Sequence, residues 1–543
     1  MATQPAGTRS PRLGYDGRWL PAILLPALSS AILAAVDDRL WHWYLIPVTL
    51  CGILMAPDVV ACAAKRLDLF DPQALVGLFG FHFFYLAPIL HVLLDYWAPE
   101  IPPLEDWRSG LGAMAALNVF GLVAYRLCVD LPNGRRVRRH MVWSLDVRRF
   151  ARLGLLAFVI GLIGFAAILA KFGGPIAYLD TAADDRLGFA GQGWLLLVGE
   201  SFPFVGFVVV AIRYRGKLAS RPNLLAAAFL AFAAAQFLAG GLRGSRSNTI
   251  WPLLVGLVVV HLVVRPIARR TLVPMAVAFM AFMYVYGVYK ATGSEIVRAG
   301  SDGRSVVELG DETGRTLPAL LLGDLGRADI QAVVLERQQA ATAPLGYGLS
   351  YLASVKFLVP DTLHPEWLRD KSQLGTDMVF GEGTYASVRQ SSRIYGLGGE
   401  ALLNFGPAGV IVSYAVFGFA VRAARRRYAL ALTRTDLGAA VFSAIGGVSV
   451  ILALGSDLGN VWWFMVKTGA PLAVLVVLAR TSRSSAREAH SAVGRSSKGG
   501  GTGLTQRAPT ETSLDAAGIA SASRSQFGSD GPPRAMSGDV GGP

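Results

Sequence analysis

Apolar runs of roughly 16 to 23 residues recur along most of the chain, separated by short polar connectors. Runs of that length match helices crossing a bilayer core. They predict spans near residues 19 to 36, 41 to 56, 72 to 94, 109 to 129, 153 to 171, 193 to 212, 224 to 241, 250 to 264, 272 to 290, 400 to 421, 438 to 456 and 460 to 479. Two stretches break the rhythm. Residues 291–399 make a connection of about 109 residues, far longer than a connector needs, with helical patterning around Thr316 to Gln339 and an aromatic, Pro-bearing stretch from Gly346 to Tyr385. Residues 481–543 are rich in Gly, Ser, Ala and Thr. With almost no large apolar side chains they cannot offset the entropy of ordering, which predicts a disordered tail. No internal repeat is visible.

Charge fixes the expected sidedness. Connectors carrying Lys65 and Arg66, the Arg135–Arg152 cluster, Arg213–Arg221, Arg265–Arg270 and Arg422–Arg434 alternate with connectors that avoid basic residues, and Arg9, Arg12 and Arg18 precede the first span. That set holds 24 Lys or Arg, against 5 in the short connectors of the other side, namely Arg39, Arg108, Arg186, Arg243 and Arg246. One of those connectors is acidic, with Asp95, Glu100, Glu105 and Asp106. By the positive-inside rule both ends of the chain are cytoplasmic and the span count is even. The first span, with arginines ahead and Ala34-Ala35 behind, has the look of a signal peptide; orientation is the same either way. The expected fold is an all-α polytopic membrane protein of about 12 transmembrane helices with one large extracytoplasmic loop. Its parts are a bundle of about nine spans over 1–290, the loop 291–399, three C-terminal spans over 400–480 and a cytoplasmic tail 481–543.

Composition removes other classes. A chain that is 53% hydrophobic and 16% charged is not a soluble globule. The net charge of +14 is scattered between spans without a basic-aromatic face, so topology accounts for it and nucleic acid does not. Cys51, Cys62 and Cys128 have neither metal-ligand spacing nor the pattern of a disulfide framework. No metal or cofactor is expected.

The candidate chemistry starts with Arg243 and Arg246, two of the five basic residues of the short outer connectors, in one turn. If the seventh helix continues through them, their guanidinium forks share a face and suit one phosphate or diphosphate; snorkelling to headgroups is the bland alternative. Glu200 and Lys467 lie about two turns into spans six and twelve, where ionisable groups face a cavity or one another. His82 and His91 read as core histidines. In the loop, Arg327, Arg337, Arg369 and Lys371 read mostly as solvated charges. Arg389 and Arg393, four apart ahead of span ten, would both face the membrane surface on a helical continuation. His364 is the loop's single histidine, a base by type or a surface turn beside Pro365. Asp37-Asp38 in the first outer connector would position an acceptor or a metal, though adjacent acids at helix ends are common.

The stretch 398–410, Gly-Gly-Glu-Ala-Leu-Leu-Asn-Phe-Gly-Pro-Ala-Gly-Val, resembles the segment by which bacterial oligosaccharide repeat-unit (O-antigen-type) polymerases re-enter the membrane after their large outer loop. Tyr347-Gly-Leu-Ser-Tyr with Phe357-Leu-Val-Pro360 and Lys371 is similar to that family's loop core, and Gly244-Ser245-Arg246 to its Gly-Ser-Arg turn. The resemblance covers roughly residues 150 to 480; a spaced Arg-to-Gly motif found in some members is matched only by count, Arg337 to Gly348. It implies a class C glycosyltransferase-like fold in a bacterial cytoplasmic membrane. The implied reaction is metal-independent glycosyl transfer at the outer face, from one polyprenyl-diphosphate-linked oligosaccharide to another. It also implies membrane lipid contacts and work alongside a flippase and a chain-length regulator. Arg243 and Arg246 would then hold one diphosphate, Arg389 or Arg393 the other, and a carboxylate or His364 would assist the acceptor hydroxyl. Glu400 is either catalytic or a cap at the start of span ten. The alternatives are a lipid-linked glycan ligase, a polyprenyl-phosphate-dependent glycosyltransferase built on Asp37-Asp38, and a transporter or flippase with broken helices and paired half-repeats.

Overall fold

The computed structural model describes residues 19–131, 143–175, 177–178, 181, 193–242, 246–293, 296, 303–340, 344–359, 363–365, 367–388, 393–433 and 436–482. Among these residues twelve helices are long and apolar enough to cross a membrane: Trp19–Val36, Leu45–Ala63, Pro72–Leu93, Trp107–Val129, Val147–Lys171, Gly193–Arg213, Pro222–Gly241, Ser247–Val264, Arg269–Thr292, Gly396–Leu432, Leu437–Gly455 and Leu458–Leu478. The chain is an all-α multi-pass membrane protein. The disorder expected for the tail falls outside the described residues.

Boundaries depart from the apolar runs where a polar group is satisfied inside the helix. The second span continues through Asp58, where the hydrophobic run stops. Asp58 is buried against Arg126 of the fourth span at 2.8 Å and accepts from Gln73 Nε2 at 2.8 Å. A paired carboxylate no longer has to end the helix. The tenth span outruns its apolar stretch, through Arg422 to Arg427. It breaks at Gly406, whose φ of 67° and ψ of −161° are open only to glycine, and Pro407 restarts the helix with a ring that needs no donor partner.

The tenth span packs along the fourth and the eleventh, the fifth along the sixth, and the first along the second. Two apolar cores result. One joins spans one to four and ten, with Tyr44, Tyr85, Tyr125 and Tyr414 fully buried; the other joins six, eight, eleven and twelve around Phe204, Val259 and Val448. A short antiparallel pair, Trp143–Leu145 with Arg480–Ser482, clips the end of the last span to the start of the fifth.

The turn between spans two and three is held from above. Asp68 accepts from Tyr428 Oη at 2.8 Å and the Phe70 amide at 2.8 Å and lies 3.2 Å from His261 Nε2. Burial alone would raise its carboxyl, but the His261 contact and charge, with those two donors, hold it at about 2.

The segment between spans nine and ten is built into the end of the bundle. It carries the helices Val306–Glu312, Ala328–Gln339, Leu349–Ala353, Lys371–Phe380 and Thr384–Val388, and a wide π-helical turn at Ala319–Asp324. Residues Ala328 to Leu335 are all buried, wedged between spans four and ten. This element lies where the pattern at Thr316 to Gln339 predicts a helix.

Candidate functional site: a cation-lined cavity at one end of the bundle

Where the 319–330 segment meets the span ends, a cavity of about 890 Å³ opens. Its walls come from the connection after span three, the start of span eight, the ends of spans nine and eleven and the first half of span twelve, together with the 313–330 segment, Lys371 and Arg393. All of these lie at one end of the bundle. Seven of the lining residues are cationic, Arg246, Lys290, Arg315, Arg327, Lys371, Arg393 and Lys467, against three carboxylates, Glu100, Asp324 and Asp329. Asp457 and Glu200, just behind the wall, pair with Lys371 and Lys467, and concave walls of low dielectric focus the positive excess that remains. Trp251, Pro252, Leu452 and Phe464 make the membrane-side wall apolar.

Arg246 closes the turn before span eight and forms a two-pronged pair with Asp324, Nη1 to Oδ2 at 2.5 Å and Nη2 to Oδ1 at 2.7 Å. The pair ties span eight to the end of the 319–324 turn. Arg243 lies outside the described residues.

Arg327 departs from the expectation of a solvated loop charge. It is buried, its Nη1 donates to the carbonyls of Gly323 and Gly326, and its Nε has no hydrogen-bond partner. Burial lowers its pKa against the pull of Asp324, Asp457 and Asp329. Two residues on, Asp329 is buried too, with Oδ1 accepting from the Ile330 amide and Oδ2 without a partner. Orphaned polar atoms in a cavity wall are costly unless something else meets them.

Lys371, also expected as solvated, pairs with Asp457. Asp457 is fully buried in the turn between spans eleven and twelve, and its Oδ1 accepts from the amides of Tyr395 at 2.8 Å and Gly396 at 3.0 Å. It therefore holds Lys371 and the start of span ten together. Arg393 stands just ahead of that start and reaches Glu100 Oε2 at 3.4 Å. Residues 393–395 are not helical, so the helical continuation expected to present Arg389 and Arg393 on one face is absent at its end. Tyr395 and Gly396 give their amides to Asp457 instead, and Gly396 takes a positive φ of 70°. Arg389 lies outside the described residues.

Glu200 and Lys467, whose depth left them facing either a cavity or one another, do meet. Both are almost fully buried, and Lys467 sits in a π-helical turn, Met465–Gly469, that forms part of the cavity wall. Such turns recur at functional sites because they re-aim side chains out of a regular helix.

Two predicted site residues stand outside the wall. His364 places Nε2 2.9 Å from the Lys356 carbonyl and 3.0 Å from that of Val359, closing a turn, which is the alternative weighed for it from sequence. Glu400 accepts from Ser350 Oγ at 2.9 Å and from the Leu458 amide at 2.7 Å. It caps the start of span twelve and not its own helix, because the tenth span starts four residues earlier. Asn404, one turn on, receives the amides of Gly348 and Ser350 on Oδ1 and donates to Ser350 Oγ. The backbone adds Gly346 N to Leu403 O and Tyr347 N to Asn404 O, both 2.8 Å. The two stretches quoted above, 347–351 and 398–410, thus fold onto one another. Asp37 caps the turn Asp38–Leu40 and is clasped by Arg39, away from the cavity.

No family model, curated protein or solved structure matches this chain.

Guanidinium forks of this kind suit phosphate oxygens and carboxylates. The wall of Trp251, Leu452 and Phe464 would suit an apolar group. Fixed cations of this kind stabilise negative charge that builds on a departing oxygen without reorganising. Asp457, Asp324 and Asp329 were not singled out from sequence. A buried acid next to a span reads as a connector charge until its partner is known.

Proposed function

We propose that the protein is a glycosyltransferase that polymerises polyprenyl-diphosphate-linked oligosaccharide repeat units at the outer face of a bacterial cytoplasmic membrane. The observation that carries the proposal is the cavity at the span ends, with seven cations against three carboxylates and an apolar wall toward the bilayer. A lipid diphosphate has that composition. In the reaction the anomeric carbon of the growing chain forms a bond to a hydroxyl oxygen of the incoming unit and its bond to the diphosphate oxygen breaks. Arg246, Arg315 and Arg327 take up the charge of the leaving polyprenyl diphosphate, with Lys371 and Arg393 on the second lipid. Asp329, a carboxylate of the wall, accepts the hydroxyl proton. Glu400 acts through Ser350 as a positioning residue. The segment 291–399 is then the extracytoplasmic loop of a class C glycosyltransferase-like fold, both termini are cytoplasmic, and a flippase and a chain-length regulator are the expected partners.

The folding of 347–351 onto Glu400 and Asn404 supports the polymerase resemblance, since both halves of that likeness serve one joint. A ligase shares the cation logic and differs in acceptor. The break at Gly406 is a feature that a flippase would have, but it lies outside the cavity wall. Vesicles containing the purified protein and lipid-linked repeat units discriminate the three. A ladder of repeat-unit products is expected; a single addition would assign a ligase or transferase, and relocation without a new bond a flippase. A deletion strain with unchanged glycan length would sink the proposal.

A further inference from the structure

We infer that the stretch from Pro344 to Val359, with Leu363 and Trp367, is an interfacial element that rests its apolar side chains in the bilayer beside span ten. The inference rests on the membrane-spanning architecture and is independent of the reaction proposed above.

The sequence from Pro344 to Val359 carries one charge, Lys356, in sixteen residues. It includes an apolar helical stretch, Leu349–Leu358, too short to cross a membrane. Despite lying in a connecting segment, it leaves large apolar side chains uncovered: Tyr347 is 76% exposed, Leu363 67%, Trp367 60% and Leu352 53%. In water a patch of this kind is unfavourable, and monomeric proteins rarely keep one without an occupant.

Its neighbours say which occupant. The Tyr351 ring packs on Phe405 with centroids 6.0 Å apart, and the backbone at Gly348 approaches the same ring. Phe405 is exposed just ahead of the break at Gly406, and beyond the break Val412, Val416 and Phe419 form an exposed row at helical spacing. A row of that kind on a spanning helix faces lipid. On the other side Phe357 meets Trp463 of span twelve at 5.1 Å. Trp463 lines the cavity, so the uncovered patch runs from the cavity rim at one edge to the exposed face of span ten at the other. Its mixture of Tyr, Trp and Leu is the composition that settles at the headgroup boundary, where an apolar body and a polar tip are both satisfied. Lys371, four residues beyond Trp367, lines the cavity, so lipid contact here sets the cavity wall against the membrane surface.

The test uses the full chain with Cys51, Cys62 and Cys128 replaced by Ala, spin-labelled singly at Leu352→Cys, Leu363→Cys or Trp367→Cys. The protein is reconstituted in phosphatidylethanolamine–phosphatidylglycerol vesicles. Val416→Cys serves as the lipid reference and Glu312→Cys, on an exposed helix end, as the aqueous one. We expect collision with dissolved oxygen to exceed collision with a water-soluble nickel chelate several-fold at all three sites, as at Val416. A nickel-dominated profile like that of Glu312 would overturn the inference. So would shielding from both reagents, which would mean that a second copy or another protein covers the patch. All three side chains are exposed, so their replacement leaves the packing intact.

Discussion

Arg246 and Arg327 show how differently two arginines of one site are written in a sequence. Arg246 is conspicuous because it breaks a charge rule in a short connector, and it lines the cavity in a two-pronged pair with Asp324. Arg327 sits in a polar stretch where a basic residue is unremarkable. Only its burial, with Nη1 on the carbonyls of Gly323 and Gly326, makes it a buried cation with an unmatched Nε. The difference between the two is testable by a substitution that keeps charge and removes the fork. Under the proposed reaction, Arg327→Lys should lower the rate of chain extension by about 10²-fold, the scale of losing one aimed donor at a developing anion. The measurement is product-ladder formation in vesicles, with the thermal transition followed in parallel. Full activity with an unchanged transition would remove Arg327 from the site. Glu400 is the converse case: the sequence marks it as a candidate, and both of its oxygens are engaged in joining Ser350 to the start of span twelve.

The spans were legible as elements because a bilayer demands about twenty apolar residues and little else. Their ends were less so. Asp58 truncates the second apolar run, and the helix passes through it because Arg126 is waiting on the fourth span. The turn between the second and third spans holds a titratable joint of the same kind at Asp68. Its carboxyl is held at about 2, so the folded state favours the charged form. The stabilisation is complete above about pH 4 and disappears as pH falls toward about 2, the range between the ordinary and the native value. It is worth about 1 kcal/mol once solvent screening of a half-exposed carboxylate is allowed for. Asp68→Asn should accordingly lower the thermal transition of the detergent-solubilised protein at pH 7 and shrink the difference from wild type as pH is taken down to about 3. An equal deficit at both pH values would show that packing and not charge matters at this turn.

At the scale of the whole molecule, the charge alternation of the connectors makes a prediction that needs no site. Reporter fusions after residue 20 and at the C-terminus should both read as cytoplasmic, and one inserted near Glu312 as external. Opposite readings at the two termini would mean an odd number of crossings and would undo the sidedness. The sequence by itself determined the class, the number of spans and where eleven of twelve begin to within a few residues, because length and hydropathy are local properties and the membrane acts on each segment separately. It also pointed to Arg246, Arg393 and the Glu200–Lys467 pair, since a charge in or beside an apolar span is visible without knowing its neighbours. Tertiary structure alone decided which charges share a cavity. Lys371 reaches Asp457 across 86 residues, and Arg246 reaches Asp324 across 78. Contacts at that separation leave no periodicity in the chain. They arise only when packed helices bring their ends together, and the cost of burying each charge then fixes its partner.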